Sequence, residues 1–72
     1  MSKLSVGAFA LLEELMFTHQ ALSEDRAVLK DKVFKSLKSL SILKEMNYVV
    51  ELDDGRIYVT RQGVQTILAH FS

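Results

Sequence analysis

Residues 45–63 read EMNYVVELDDGRIYVTRQG, and the fold turns on the Asp54-Gly55 step inside them. Both central positions of a two-residue hairpin loop need φ > 0, which Asp-Gly tolerates better than almost any other pair. The flanking residues alternate, with Tyr48, Val50 and Leu52 going up and Ile57 and Val59 coming down. With Asp54 and Gly55 as the loop, Asp53 is expected to face Arg56, Leu52 to face Ile57, and Val50 to face Val59. The apolar pairs then share one face of a hairpin over residues 48–60, and Val49, Glu51, Asp53, Arg56, Tyr58 and Thr60 share the other. Asn47 precedes the hairpin and tolerates the left-handed conformation that ends a helix. Thr60 follows it and is placed to cap a last helix over about 61–71, with Val64, Ile67, Leu68 and Phe71 on its apolar face.

Working toward the N-terminus, Val33, Leu37, Leu40 and Lys44 fall on one line at helical spacing, with Phe34, Ser36 and Leu43 beside it. Lys32, Lys35, Lys38 and Ser39 occupy the opposite side, so a helix is expected over about 32–46, capped by Asp31. A shorter helix is expected over about 23–29, with Ser23 as its cap and Glu24 and Asp25 in its first turn. No glycine or proline separates the two, so a single helix over 24–46 is the competing reading. Leu4, Ala8, Leu11, Leu12, Leu15 and Met16 recur at helical spacing and predict a first helix over about 4–18, with Ser2 and Ser5 as equal candidates for its cap. Phe9 and Phe17 widen that stripe and suggest burial on more than one side. The expected architecture is therefore mainly α with one small β-hairpin (α+β): three helices, two strands, then a fourth helix.

Seventy-two residues make one domain, residues 1–72, near the lower limit for a self-sufficient core. There is no cysteine to staple it or to bind a metal as thiolate, so a homodimer is expected. No run of about 18 apolar residues is present to span a membrane. No signal peptide is visible either, and the default location is the cytoplasm. Net charge is zero, but its distribution is uneven. Arg26 to Lys44 holds six basic residues and only Asp31 against them, leaving +5 there and −5 elsewhere. A phosphate backbone responds to such a local field rather than to the sum.

Taken in order, Leu40 and Leu43, Glu45-Met46-Asn47-Tyr48-Val49, Asp54-Gly55-Arg56 and Val59-Thr60-Arg61-Gln62-Gly63 resemble the winged helix-turn-helix regulators, most nearly the MarR- and PadR-like group. The likeness covers residues 23–71, with Asn47 where that group has glycine and Val59 where it has leucine. It implies a small transcriptional regulator that binds double-stranded DNA, with the helix at 32–46 in the major groove and the hairpin as a wing. Lys32, Lys35 and Lys38 would reach base edges, Ser36 and Ser39 bases or phosphates, Lys30 and Arg26 the backbone, and Arg56 phosphate or the minor groove. About five neutralised phosphates per subunit would give a slope of log affinity against log salt of about −4 to −5. A two-fold dimer would space the two helices about 34 Å apart. The acidic tip Asp53-Asp54 suits the alternative, a winged helix that binds another protein through Phe9, Phe17, Ile42 or the last helix, or that acts as an antagonist.

Catalysis finds little support, and no cofactor or metal is expected. His19 and His70 are the only histidines, and no aspartate or glutamate lies at a spacing expected to place it beside either on one helix face. No Gly-x-Ser-x-Gly turn exposes a serine, and Gly7, Gly55 and Gly63 are isolated. Glu13-Glu14 and Asp53-Asp54 read as solvated surface.

Overall fold

The computed structural model describes residues 4–71. Ser5 opens helix α1 (Val6–Glu13), its Oγ accepting the Ala8 amide at 3.1 Å. The other candidate cap, Ser2, lies outside the described residues. Beyond Glu13 the helix continues as a π-helical turn, Glu14–Thr18, so helical backbone covers Val6 to Thr18. Ala8, Leu11, Leu12 and Leu15 are buried as the spacing predicts, and Leu4, Phe9 and Met16 pack partly against them. Phe17 departs from the expectation: its position in the π turn leaves the ring 56% exposed. Gln20 then adopts the left-handed conformation (φ 51°) and turns the chain under the sheet. There buried Ala21 donates to the Leu15 carbonyl at 2.8 Å and accepts from the Val59 amide at 2.7 Å.

The second helix expected over 23–29 does not form. Glu24–Arg26 make one 3-10 turn without a side-chain cap from Ser23, and Val28–Leu29 form strand β1. Backbone pairing overrides helix propensity here: β1 runs antiparallel to strand β3 (Arg56–Val59), with Val28 opposite Ile57 and Leu29 opposite Arg56. The third helix, expected over 32–46, is α-helical only in α2 (Leu40–Glu45). Lys30–Lys32 form another 3-10 turn, Val33 is extended, and the single long helix over 24–46 is excluded. The cause is tertiary. The Glu14 carboxylate takes the Phe34 and Lys35 amides at 2.7 Å each, pinning a segment whose own periodicity is helical.

The hairpin forms, slipped by one residue from the expected register. Strand β2 (Val49–Glu51) pairs with β3 so that Val49 faces Val59, Val50 faces Tyr58, and Glu51 faces Ile57. The loop holds three residues, not two. Gly55 donates to the Leu52 carbonyl at 3.0 Å with φ +88°, and Leu52 donates to the Arg56 carbonyl at 2.7 Å. That is a tight turn closed by a left-handed glycine bulge, the next commonest hairpin connection. A one-residue slip turns a strand over. Val49 therefore joins Ile57 and Val59 in the core at 2% exposure, and Val50 moves to the outer face with Tyr58.

Asn47 behaves as its type predicts. At φ 62° it ends α2, with its own amide on the Lys44 carbonyl (3.1 Å) and the Tyr48 amide on the Leu43 carbonyl (2.9 Å). These two bonds make a Schellman cap. Thr60 is the other corner. Its Oγ1 donates to the Asn47 carbonyl (2.6 Å) and accepts the Gly63 amide (3.1 Å), capping helix α3 (Arg61–Phe71). Gly63 must be a glycine, because a Cβ there would sit 2.5 Å from the Tyr48 carbonyl oxygen. The sheet order is β1-β3-β2, with Leu40, Leu43 and Ile67 joining the α1 residues in one core. The described residues thus make a small α+β domain of three α-helices and a three-stranded antiparallel sheet. Among them no helix is long and apolar enough to cross a membrane.

Candidate nucleic-acid interface

The basic residues divide into two groups. Glu51 at the end of β2 accepts from Lys30 and from Lys44, each at 2.7 Å, and joins the turn after β1 to α2. Those two ammonium groups hold its carboxyl down to about 2. Arg56 bends back onto its own hairpin tip, its Nε donating to Asp54 at 2.7 Å while its backbone amide bonds the same carboxylate. The Arg56 amide and guanidinium keep the Asp54 carboxyl below its ordinary range. Lys30 and Arg56, two of the expected DNA contacts, are therefore paired within the chain.

Lys32, Lys35 and Lys38 are exposed and make no ion pair among the described residues. They lie along the run from the 3-10 turn to the start of α2 rather than on one face of a long helix. Ser36 accepts the Lys38 amide at 3.2 Å, and Ser39 stands at the start of α2 with no side-chain capping bond. Five of the eight expected contacts thus share one exposed segment, while Arg26 stands apart and exposed at the end of the 3-10 turn before β1. Its course is irregular, and Lys32, Lys35, Ser36 and Lys38 all precede α2 instead of lying on one face of a recognition helix.

What shapes that segment is Glu14, a residue with the look of solvated surface in the sequence. It is 6% exposed and the one buried charged side chain among the described residues. Besides the two amides, its Oε2 lies 2.8 Å from the His19 ring. Burial works against its charge, but the Phe34 amide, His19 and the Lys35 amide outweigh that and hold the carboxyl below its ordinary range. The π-helical turn creates the His19 contact, since i and i+5 share a face only there and a regular helix would separate them. A signal was present in the sequence: Glu14 follows Leu11 by three and precedes Leu15 by one, which puts it at the edge of the buried stripe.

Beside Glu14 a shallow groove of about 400 Å³ runs between α1 with its π turn and the pinned segment, with Phe17 and Phe34 in its walls. Among the described residues no group of three or more histidine, cysteine, aspartate or glutamate side chains is placed to hold a metal ion. No protein-family model, curated protein or solved structure matches this chain.

Proposed function

We propose that this protein binds duplex DNA as a small, cytoplasmic transcriptional regulator of winged-helix type, acting as a homodimer. The observation that carries the reading is the exposed trio Lys32, Lys35 and Lys38 on the segment leading into α2, with no carboxylate of the chain neutralising them among the described residues. In support, helix α2, the β2–β3 hairpin and α3 follow one another along the chain, while β1 and its 3-10 turns stand where the second helix was expected. Phosphate contact falls to the three lysines. Base contact falls to Ser39 and the exposed side of α2, including Ile42 for a thymine methyl group.

With Lys30 and Arg56 already paired, about three phosphates are neutralised per subunit and about six per dimer, so the slope of log affinity against log salt should be about −5 for the dimer and about −3 for a lone subunit. The test is fluorescence anisotropy on a labelled random duplex across a salt series. The triple variant Lys32→Glu/Lys35→Glu/Lys38→Glu should abolish the signal while its circular dichroism stays that of the wild type. Absence of binding at low salt, or an affinity indifferent to salt, overturns the reading. The acidic hairpin tip Asp53-Asp54 supports the alternative, a module that binds a basic protein surface, and that reading would take over.

A further inference from the structure

We infer that a second copy of this chain seats on the face centred on Phe17, each copy placing that ring in the groove between the α1 helix with its π turn and the Phe34 and Lys35 pair of the other. The inference rests on the homodimer in the reading above and assigns it a surface.

Three aromatic rings crowd this face without being buried by it. Phe17 is 56%, Phe71 58% and Phe34 85% exposed. They form one patch, because Phe17 and Phe34 line the same groove and the Phe17 and Phe71 rings lie 6.2 Å apart. The neighbouring Phe9 and His70 rings stack at 4.0 Å and fasten α3 to α1, so the patch stands on a fixed helix pair. With about 200 Å² for a whole aromatic side chain, the three rings leave roughly 400 Å² of apolar surface open. That is the size of the largest apolar patch on an ordinary monomer, one that is often functional, and it matches the apolar centre of a contact burying about 800 Å² per partner.

The choice of a second copy follows from self-complementarity. The face carries both a protruding ring, Phe17, and a groove able to take one. Across a two-fold axis, each patch supplies what the other lacks. The rim repeats this in charge: Glu13 lines the helix wall of the groove and Lys35 the opposite wall, and neither is in an ion pair among the described residues. A two-fold contact sets Glu13 of each copy against Lys35 of the other, which leaves Lys32 and Lys38 of each copy for phosphate and brings the dimer's salt slope to about −4. A strongly acidic or basic partner would meet one of these charges with repulsion, whereas this chain, at net charge zero, meets both with attraction.

Sedimentation velocity over a concentration series tests this. The wild type should sediment at twice the 8.2 kDa chain mass, and Phe17→Glu should be monomeric with an unchanged far-ultraviolet spectrum, since the ring lies outside the core. Glu13→Lys and Lys35→Glu should each weaken association about tenfold, and the double variant should recover most of the loss. If Phe17→Glu does not fold, the charge-swap set decides alone. A wild type monomeric at roughly 1 mM overturns the inference. So does a dimer that survives folded Phe17→Glu, or charge variants whose effects merely add. Dimerisation through Phe17 with no binding to duplex leaves this surface standing and ends the DNA reading. A monomer that binds duplex with a slope of about −3 does the opposite.

Discussion

Replacing Glu14 should release the lysine-bearing segment from the rest of the protein. Its carboxylate accepts the Phe34 and Lys35 amides at 2.7 Å and meets the His19 ring at 2.8 Å. Hydrogen bonds to a charged group contribute about 1.5–3 kcal/mol each net, and a freed partner that stays dry adds a desolvation penalty. Phe34 and Lys35 are exposed, however, so their freed amides regain water and only a net value is lost. For Glu14→Ala we expect a loss of about 3 kcal/mol, and for Glu14→Gln, which keeps one carbonyl acceptor, about 2 kcal/mol. A domain of this length has roughly 4–10 kcal/mol in total, so either change is large. At about 1 kcal/mol per molar urea, Glu14→Gln should lower the unfolding midpoint by about 2 M. Amide exchange gives the local readout: protection at Phe34 and Lys35 should fall at least as far as the roughly thirtyfold drop that the global loss imposes on the β3 amides. The effect depends on pH. Because the folded carboxyl titrates below its ordinary range, its stabilisation is full above the unfolded value of about 4.3 and fades as pH falls through the folded one. The wild type should therefore lose more stability than Glu14→Gln on acidification. A midpoint shift under about 0.3 M, with exchange at 34 and 35 unchanged, would refute the reasoning, because something else would then be holding the segment.

Three further outcomes follow from the sheet and its corners. Val49→Ala should cost about 2 kcal/mol and Val50→Ala under about 1 kcal/mol by urea unfolding, and the reverse order would restore the two-residue loop. Gly63→Ala would gain about 1 kcal/mol of helix propensity on an open helix, but here it should destabilise by about 2 kcal/mol, since its Cβ meets the Tyr48 carbonyl. The Glu51 carboxyl should titrate at about 2 by nuclear magnetic resonance. With Lys30→Met and Lys44→Met together, it should return toward the unfolded value of about 4.3. Its ion pairs accordingly stabilise the fold above that unfolded value and are lost as pH falls toward 2.

Locally encoded features were legible in the sequence, and those set by contact between distant residues were not. The α1 stripe, the left-handed Asn47, the Thr60 corner and the start of α3 each depend on a few neighbouring side chains and a fixed period. The hairpin was legible in place but not in register. Asp54-Gly55 fits a two-residue loop and also a three-residue one closed by a left-handed Gly55, and the difference lies in whether Val49 or Val50 meets the core. The helix expected over 32–46 failed for a reason twenty residues away. Its periodicity is genuine, yet Glu14 takes two of its amides, and β1 draws the preceding residues into the sheet beside Ile57. Of the interface, the basic cluster itself was visible. That Lys30 and Arg56 are already paired, with Glu51 and Asp54, depends on the tertiary fold and on the turn.

The π turn explains why stability, the basic segment and the apolar face all converge on the end of α1. In a regular helix Glu14 could not meet residue 19, and the side chains beyond it would be rotated about the helix axis relative to their observed places. The wider turn buries Glu14 against the Phe34 and Lys35 amides and leaves Phe17 outside. Pinning those amides makes the far wall of the groove and keeps Lys32, Lys35 and Lys38 on an exposed path instead of folding part of them into a longer α2. A second copy docked at Phe17 would close over that same wall, so the proposed dimerisation and the position of the lysines would be coupled through one carboxylate. Glu14→Gln should then weaken self-association as well as stability, whereas Phe17→Glu should weaken self-association alone.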